Sequence, residues 1–289
     1  MNELGKNIFV ETHYAGVNVG AILTYKGLIA VDVPTFPREA RDWAIRLHRL
    51  NQYPLQFVIL TDYSGDRTLN TRWLSAPTIT HQQTAVRLNS YDKRYPLNFS
   101  ESLNARYPDR GRELNNATVE RPAVSFGQKL ALFRGNREIR LIAAPGPTTG
   151  NICVYVPDAG VLFTGDTLVV NTFPLLADGR CQQWLDSLDM LANWPDDIQT
   201  IVPGRGPLCD RQAIQPVRDF LCNLQDRATQ HWQNQEPRDE IARYVPEFIT
   251  QFPLGDLPED WVKRQIKQSL EHVYDEIKLS QTKITSVVP

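Results

Sequence analysis

The sequence is short of cysteine, of net charge and of long apolar runs. Its four cysteines show no Cys-x-x-Cys spacing and are too few for a disulfide scaffold, so we expect reduced thiols and a cytoplasmic protein. Lysine and arginine number 31 against 33 aspartates and glutamates, which leaves no basic field to hold nucleic acid or anionic lipid. No segment has the roughly 18 uninterrupted apolar residues of a membrane span. We therefore expect neither nucleic acid nor membrane as a partner.

The alternation of short apolar runs and amphipathic stretches indicates an α/β fold. The chain has 289 residues, enough for one large domain or two small ones. Apolar runs at 20–24 and 28–33 are separated by a turn signal, and five further runs crowd residues 123–164. Apolar residues recur at helical spacing over 182–193, 212–233 and 259–278. These patterns predict a four-layer αββα sandwich over residues 1–235 and a C-terminal helical extension over 236–289.

Polar clusters follow two of the predicted buried strands. The run Phe57–Leu60 ends in Thr-Asp-Tyr-Ser-Gly-Asp-Arg, and the run 200–202 ends in Pro-Gly-Arg-Gly-Pro. Sheets of α/β proteins usually place their sites at the carboxyl ends of such strands. Both clusters are therefore candidate parts of one site.

Four segments, in order along the chain, resemble the metallo-β-lactamase fold hydrolases. They are VGAILTYKGLIAVDV (19–33), VILTDYSGDR (58–67), IAAPGPTTGNICVYVPDAGVLFTGD (142–166) and IVPGRGP (201–207). The first resembles the opening hairpin of the family, and the other three resemble its metal-binding loops. The resemblance extends over about residues 8–233 and implies the same αββα fold.

The metal-binding residues of that family do not carry over. The resemblance places the former metal-site positions at Asp62, Ser64, Asp66, Arg67, Pro147, Asp166 and Arg205. Only the aspartates at 66 and 166 match the family pattern, because its histidines fall on the other five positions. The histidines of this chain lie elsewhere, at His13, His48, His81, His231 and His272. The resemblance therefore implies a divergent member without the family's metal ligands.

Two of the replacing residues are arginines, which suggests what now balances the aspartates. Burying unpaired carboxylates costs several kcal/mol per ion, and a guanidinium stays charged and can donate two parallel hydrogen bonds. We therefore expect Arg205 to pair with Asp66 or Asp166, and Arg67 to pair with Asp62 or a neighbour. A divalent cation beside two guanidiniums would be repelled. The expected cofactor is none, and the alternative is one divalent metal held weakly by the three aspartates.

Other interpretations of the same residues stay open. Asp66 and Asp166 also suit carboxylates that accept backbone N–H bonds in loops, and Asp62 suits a solvated loop residue. Ser64 has no histidine in the matched loops to act as its base, so no catalytic residue is assigned. Arg67 and Arg205 would also suit a small anionic ligand in the cleft.

Three further stretches allow more than one interpretation. The run Gly146–Gly150 lacks the lysine and following helix of a phosphate-binding loop, which favours a turn. The polar stretch 89–119 is long for a loop and suits a lid or an interface segment. An apolar stripe on the last helix would either dock on the main domain or form a homodimer.

These observations support two classes of function. The first is a protein without bound metal and without the hydrolase activity of the family, acting by binding or regulation. The alternative is a hydrolase with an altered carboxylate-rich or metal-independent site. A nucleic-acid processor on this fold is a weaker third interpretation, and the fold alone cannot choose among the three.

Overall fold

Two β-sheets form the centre of the protein in the computed structural model, which describes residues 1–50, 54–114 and 117–285. Within these ranges the first sheet has seven strands in sequential order. They are β1 (Asn2–Gly5), β2 (Ile8–Glu11), β3 (Val19–Thr24), β4 (Gly27–Val31), β5 (Leu55–Ile59), β6 (Thr78–His81) and β7 (Val124–Phe126). The first four strands pair antiparallel, and the pairs from β4 to β7 are parallel.

The second sheet, counted over the same ranges, has five strands in the order β12-β11-β10-β9-β8. They are β8 (Lys129–Arg134), β9 (Arg137–Ala143), β10 (Ile152–Val156), β11 (Val161–Val169) and β12 (Thr200–Arg205). Neighbouring strands pair antiparallel except β11 and β12, which are parallel. The carboxyl ends of β11 and β12 therefore lie at the same edge of this sheet.

Helices cover the outer faces of both sheets. They are α1 (Pro37–Leu50), α2 (Gly65–Thr68), α3 (Gln82–Ser90), α4 (Leu97–Arg106), α5 (Cys181–Ala192), α6 (Ile214–Gln233), α7 (Val245–Phe248) and α8 (Glu259–Thr285). Short 3₁₀ turns occupy Thr71–Leu74, Gly111–Leu114, Pro157–Ala159, Arg211–Ala213 and Arg238–Tyr244. None of the helices in the described ranges has the length and apolar character that crossing a lipid bilayer requires.

Successive side chains along each strand point to opposite faces of the sheet, and this alternation creates the layers. In β3, Ala21 faces the helices of the first sheet and Ile22 faces the second sheet. In β10, Tyr155 faces the opposite helical layer and Val154 faces inward. The sheets approach so closely that a Cβ on Gly20 of β3 would lie 2.2 Å from the ring of Phe163, which explains the glycine. The predicted αββα sandwich is confirmed.

The C-terminal segment packs onto the second sheet. The apolar stripe of α8 joins the same buried cluster as α5 and α6, through Trp261, Ile266, Leu270 and Val273. Docking thus accounts for the stripe, and the homodimer stays a prediction. The domain boundary at residue 235 also stays a prediction, and residues 286–289 of the predicted extension lie outside the described ranges.

One edge strand was not predicted, and one predicted boundary is wrong. The sequence predicted no strand before residue 8, but β1 lies there as a largely exposed edge strand with Leu4 as its one apolar residue. The last helix continues past Lys278 to Thr285, along a stretch whose polar residues obscured its period. The stretch 89–119 contains α4 and packs Leu103 and Leu114 against the first sheet, while residues 115–116 lie outside the described ranges.

Candidate functional site

The carboxyl ends of four strands bring the charged residues together. Asp32 follows β4 and Asp62 comes shortly after β5, and these strands are parallel neighbours. Asp166 lies in β11 and Arg205 ends β12, which are parallel neighbours in the other sheet. Arg67 comes from α2, the single turn that follows β5. The site therefore lies where the same edges of the two sheets meet.

Arg67 is the centre of the site. Its side chain is 0% exposed, yet it is surrounded by carboxylates. Its Nη1 lies 2.7 Å from Oδ2 of Asp32, and its Nη2 lies 2.5 Å from Oδ1 of Asp166. Its Nε lies 3.3 Å from Oδ1 of Asp62. The expected partner Asp62 is thus the most distant of three, and Asp32 was not expected.

Asp32 is held in an unusual backbone conformation that suits its role. Its φ is +58°, a left-handed value that aspartate tolerates better than most residues. Its carboxylate accepts hydrogen bonds from the N–H and the hydroxyl of Thr61, at 2.8 and 2.6 Å. The carboxylate therefore has donors on two sides and Arg67 on the third.

Asp166 connects two guanidiniums through different oxygen atoms. Its Oδ1 contacts Arg67, while its Oδ2 lies 2.9 Å from Nη2 and 3.1 Å from Nε of Arg205. Arg205 also donates from Nη1 to the carbonyl of Gly16. Gly204 is required beside it, because a Cβ there would lie 2.2 Å from Oδ1 of Asp166. The expected pairing of Arg205 with Asp166 is therefore present.

Asp66 receives two arginines at one oxygen. Nη2 of Arg205 lies 2.6 Å and Nη1 of Arg106 lies 2.8 Å from its Oδ2. Arg106 comes from the end of α4 and stacks over the rings of Tyr107 and Trp261, with its Cζ 5.4 and 5.1 Å from their centroids. The stretch 89–119 and the C-terminal helix thus both contribute to the site.

Asp62 is buried, so its interpretation as a solvated loop residue is wrong. It accepts hydrogen bonds from the N–H and the hydroxyl of Ser64, both at 2.8 Å, and from Nδ2 of Asn151 at 3.2 Å. The hydroxyl of Ser64 therefore donates to the carboxylate of Asp62. Among the described residues, no histidine forms a hydrogen bond with Ser64. Asp62 can be buried because Arg67, Ser64 and Asn151 provide the interactions that water would otherwise provide.

The pKa values follow from burial and from the count of charges. Burial opposes ionisation of Asp66 and Asp166, but Arg106, Arg205 and Arg67 outweigh it and lower the pKa of both carboxyls. Burial dominates at Asp62, and its pKa is raised to about 6 because the attraction of Arg67 is opposed by two neighbouring aspartates. Of the three aspartates predicted at the site, Asp62 is thus the one whose carboxyl stays protonated as the pH rises to about 6.

Pro147 lies in a tight turn beside the site. The N–H of Gly146 donates to the carbonyl of Thr148 at 3.1 Å, and the N–H of Thr148 donates to Oδ1 of Asn151 at 2.9 Å. The carbonyl of Pro147 accepts the N–H of Gly179 at 2.9 Å. The turn interpretation of residues 146–150 agrees with this geometry.

Two cavities border the arginines. The smaller cavity, here called the cleft, has a volume of about 320 Å³ and is lined by charged and by apolar side chains. The larger one has a volume of about 710 Å³ and lies against the loops after β2 and β11. Arg106 and Arg205 line both cavities and so form a shared wall.

These residues do not fit a metal centre. Both oxygens of Asp166 and Oδ2 of Asp66 lie 2.5–2.9 Å from guanidinium nitrogens, and a divalent cation beside those guanidiniums would be repelled. Among the described residues, no group of three or more His, Cys, Asp and Glu side chains has the arrangement of a metal site. His13 contacts Glu11, and His81 accepts the N–H of Gln83, so both histidines have partners outside the charged site.

A family model named the metallo-beta-lactamase superfamily matches residues 16–205. This chain belongs to the metallo-beta-lactamase superfamily. The matched range begins in the loop before β3 and ends at Arg205, so it contains every residue of the charged cluster and none of the C-terminal helices.

Curated relatives match only part of the chain. A hydroxyacylglutathione hydrolase of Synechococcus sp. (strain JA-3-3Ab) is 39% identical over 103 residues, which cover 32% of this chain and 38% of that protein. A hydroxyacylglutathione hydrolase of Rhodobacter capsulatus is 33% identical over 105 residues, 34% of this chain and 40% of that protein. The chain thus spans about two fifths of the length of these relatives.

Solved structures share the fold over most of the chain. A metallo-beta-lactamase family protein of Thermus thermophilus superposes with a TM-score of 0.66 at 19% identity, covering 95% of both chains. The sec-alkylsulfatase Pisa1 of Pseudomonas sp. superposes with a TM-score of 0.67 at 16% identity, covering 95% of this chain and 49% of that one. At these identities the similarity establishes the fold alone.

Sequence reasoning missed three residues of the site. Asp32 lay near the end of the first matched segment but stood apart from the other loops, and only the pairing of β4 with β5 brings it to Arg67. Arg106 and Trp261 lie in segments outside any recognised motif. Of the three, only Arg106 could have been suspected from the charge count, because three aspartates with two arginines left one negative charge unbalanced.

Proposed function

We propose that this protein has replaced the metal centre of its superfamily with arginine side chains and acts by binding a small molecule in the cleft. The observation that supports this most directly is Arg67. A fully buried guanidinium with three carboxylates around it fills the space between the two sheets. A cation already attached to the chain occupies the position between these carboxylates and repels a metal ion that approaches them.

Asp166 gives independent support to the same proposal. The resemblance makes it the aspartate that bridges two metal ions in the family, and here each of its oxygens contacts a different guanidinium. Arg67 and Arg205 therefore stand in for two cations. Neither serine nor histidine is arranged beside them as nucleophile and base among the described residues, so no hydrolytic step is derived.

Metal analysis of the purified protein tests the proposal. Protein prepared without chelator, then incubated with zinc, iron or manganese and desalted, is expected to carry far less than one ion per chain. The matched variant Arg67→Gln keeps much of the length of the side chain and removes its charge, so any gain of metal in that variant would identify Arg67 as the excluding group. Near-stoichiometric metal in the wild-type protein would overturn the proposal.

The curated relatives favour a second candidate, a hydrolase. Their name and their 33–39% identity over about a third of this chain support an activity toward a hydroxyacylglutathione. The test is hydrolysis of that compound by the purified protein, with and without added metal. Turnover that scales with protein concentration and is lost in Asp166→Asn would favour the hydrolase over the binding protein. The binding proposal expects no turnover above the uncatalysed rate.

A further inference from the structure

We infer that the cleft binds a small carboxylate that carries an apolar body, and that the indole of Trp261 and the guanidinium of Arg106 hold its carboxylate. This inference deepens the proposed binding function and rests on it for the use of the cleft. It depends on two donors that the chain itself leaves without acceptors.

The first observation is a pair of unsatisfied donors in one wall of the cleft. Nε1 of Trp261 and Nε of Arg106 are buried and have no hydrogen-bond acceptor among the described residues. Both residues line the cleft, and the Cζ of Arg106 lies 5.1 Å from the ring centroid of Trp261. Trp261 is only 6% exposed, so bulk water does not serve its N–H. Because buried donors without partners are costly, an acceptor that enters here is favoured.

The three carboxylates that line the cleft are already engaged. Asp66 contacts Arg106 and Arg205, Asp166 contacts Arg205 and Arg67, and Asp178 accepts the hydroxyl of Tyr63. The unmet hydrogen-bonding capacity of the cleft is therefore on the donor side. A ligand that supplies acceptors suits it better than a ligand that supplies donors.

The charge of the donors favours a carboxylate over a neutral carbonyl. Arg106 carries a full positive charge, and charge-assisted hydrogen bonds are about twice as strong as neutral ones. Arg87, an exposed residue, adds a second cation to the lining of the cleft. Three aspartates line the cleft as well, but Arg67, Arg106, Arg205 and the hydroxyl of Tyr63 already contact them. Arg87 makes no ion pair among the described residues, and the lining therefore favours an anionic headgroup.

The remaining wall determines the body of the ligand. Apolar side chains from the loop after β11 and from two helices line the cleft, namely Leu103, Phe173, Pro174, Leu175, Leu176 and Trp184. A volume of about 320 Å³ is at the lower end of the range for small-molecule sites. The expected ligand is therefore a compact carboxylate with one ring or a short chain.

Three probes with one body and different headgroups test the inference. They are 3-phenylpropanoate, 3-phenylpropan-1-ol and 3-phenylpropylamine, each titrated into the full-length protein by calorimetry. We expect the carboxylate to bind about tenfold more tightly than the alcohol, as one charge-assisted hydrogen bond predicts. The amine is expected to bind more weakly still. Failure of the carboxylate to bind, or equal binding of either other probe, would overturn the inference.

Two tryptophan variants locate the site. Trp261→Phe keeps an aromatic ring beside Arg106 and removes the N–H, so the affinity of the protein for 3-phenylpropanoate should fall several-fold. Trp73→Phe is the matched control, because Trp73 also has an unpartnered Nε1 and an arginine, Arg41, stacked at 4.1 Å, yet it does not line the cleft. An unchanged affinity in Trp261→Phe, with circular dichroism showing that both variants fold, would exclude Trp261 as an anchor.

These results are independent of the metal analysis. Loss of carboxylate binding with no bound metal would refute the ligand class and leave the arginine-filled centre intact. Carboxylate binding together with stoichiometric metal would refute the arginine-filled centre and leave the ligand class intact.

Discussion

The inner and outer halves of the charged cluster differ in their access to solvent. Arg67 is 0% exposed and is enclosed by Asp32, Asp62 and Asp166. Arg205 and Arg106 are 11% and 15% exposed and line the two cavities. The inner arginine is thus fixed between the sheets, while the outer arginines are the ones that a ligand can reach.

This difference separates stability from binding. A buried ion pair loses much of its Coulomb gain to desolvation, but removal of one partner leaves a buried charge without compensation. At the inner half such a removal affects three carboxylates at once. At the outer half both arginines contact the same aspartate, so one removal leaves a partner in place.

The largest effect is expected for the inner half. Arg67→Ala should lower the free energy of unfolding by about 3–5 kcal/mol, because it removes the shared cation from Asp32, Asp62 and Asp166 in the interior. Denaturant titration followed by tryptophan fluorescence measures the change. Arg67→Lys is the control, since it keeps the charge but loses the several N–H donors of the planar guanidinium. Its stability should fall between those of wild type and Arg67→Ala. A loss below about 1 kcal/mol in Arg67→Ala would contradict the proposed role.

A smaller effect is expected from the titration of Asp62. Its pKa rises from 3.8 to about 6 on folding, so its contribution to stability is complete below about pH 4 and is lost as the pH rises through 6. Asp62→Asn lacks this titration. The free energy of unfolding of Asp62→Asn minus that of wild type should therefore increase by about 2–3 kcal/mol as the pH rises from 4 to 7.

The comparison with Asp62→Asn isolates one group from the others. Asp66 and Asp166 have lowered pKa values, so they stabilise the protein above about pH 4 and lose that contribution as the pH falls. Between pH 4 and pH 7 both carboxyls stay ionised in the folded wild type and in the folded variant, so their contribution cancels in the difference over this range. A difference in unfolding free energy that does not change with pH would mean that Asp62 ionises normally.

The smallest effect is expected for the outer half. Arg106→Met should cost about 1–2 kcal/mol, because Asp66 keeps its 2.6 Å contact with Arg205 after the change. Thermal and denaturant unfolding measure the loss. Arg110→Met is a suitable reference, since Arg110 follows α4 and pairs with the partly exposed Glu39 and Glu113 instead. If Arg106→Met were as damaging as Arg67→Ala, the two halves would not differ as described.

The sequence predicted the layers of the fold better than the contacts of the site. Continuous apolar runs in β3 and β10 specify strands that are buried on both faces, and this pattern is local. The pairing of Arg205 with Asp66 and Asp166 also followed from charge balance, because opposite charges in one cleft must meet.

The rest could not be predicted because it depends on distant parts of the chain. Asp32 reaches Arg67 only through strand pairing, and its left-handed φ has no sequence signal beyond the residue type. Trp261 reaches Arg106 only because α8 packs beside α6 on the second sheet. The burial of Asp62 was missed for the same reason, since its donor Asn151 comes from the other sheet.

Asp166 holds one arginine with each of its oxygens, and both of these positive groups are synthesised with the protein. They cannot be chelated, exchanged for another element or lost on dilution. In the proposed arginine-filled centre, folding alone therefore completes the site, and its composition would not change with the mineral content of the growth medium.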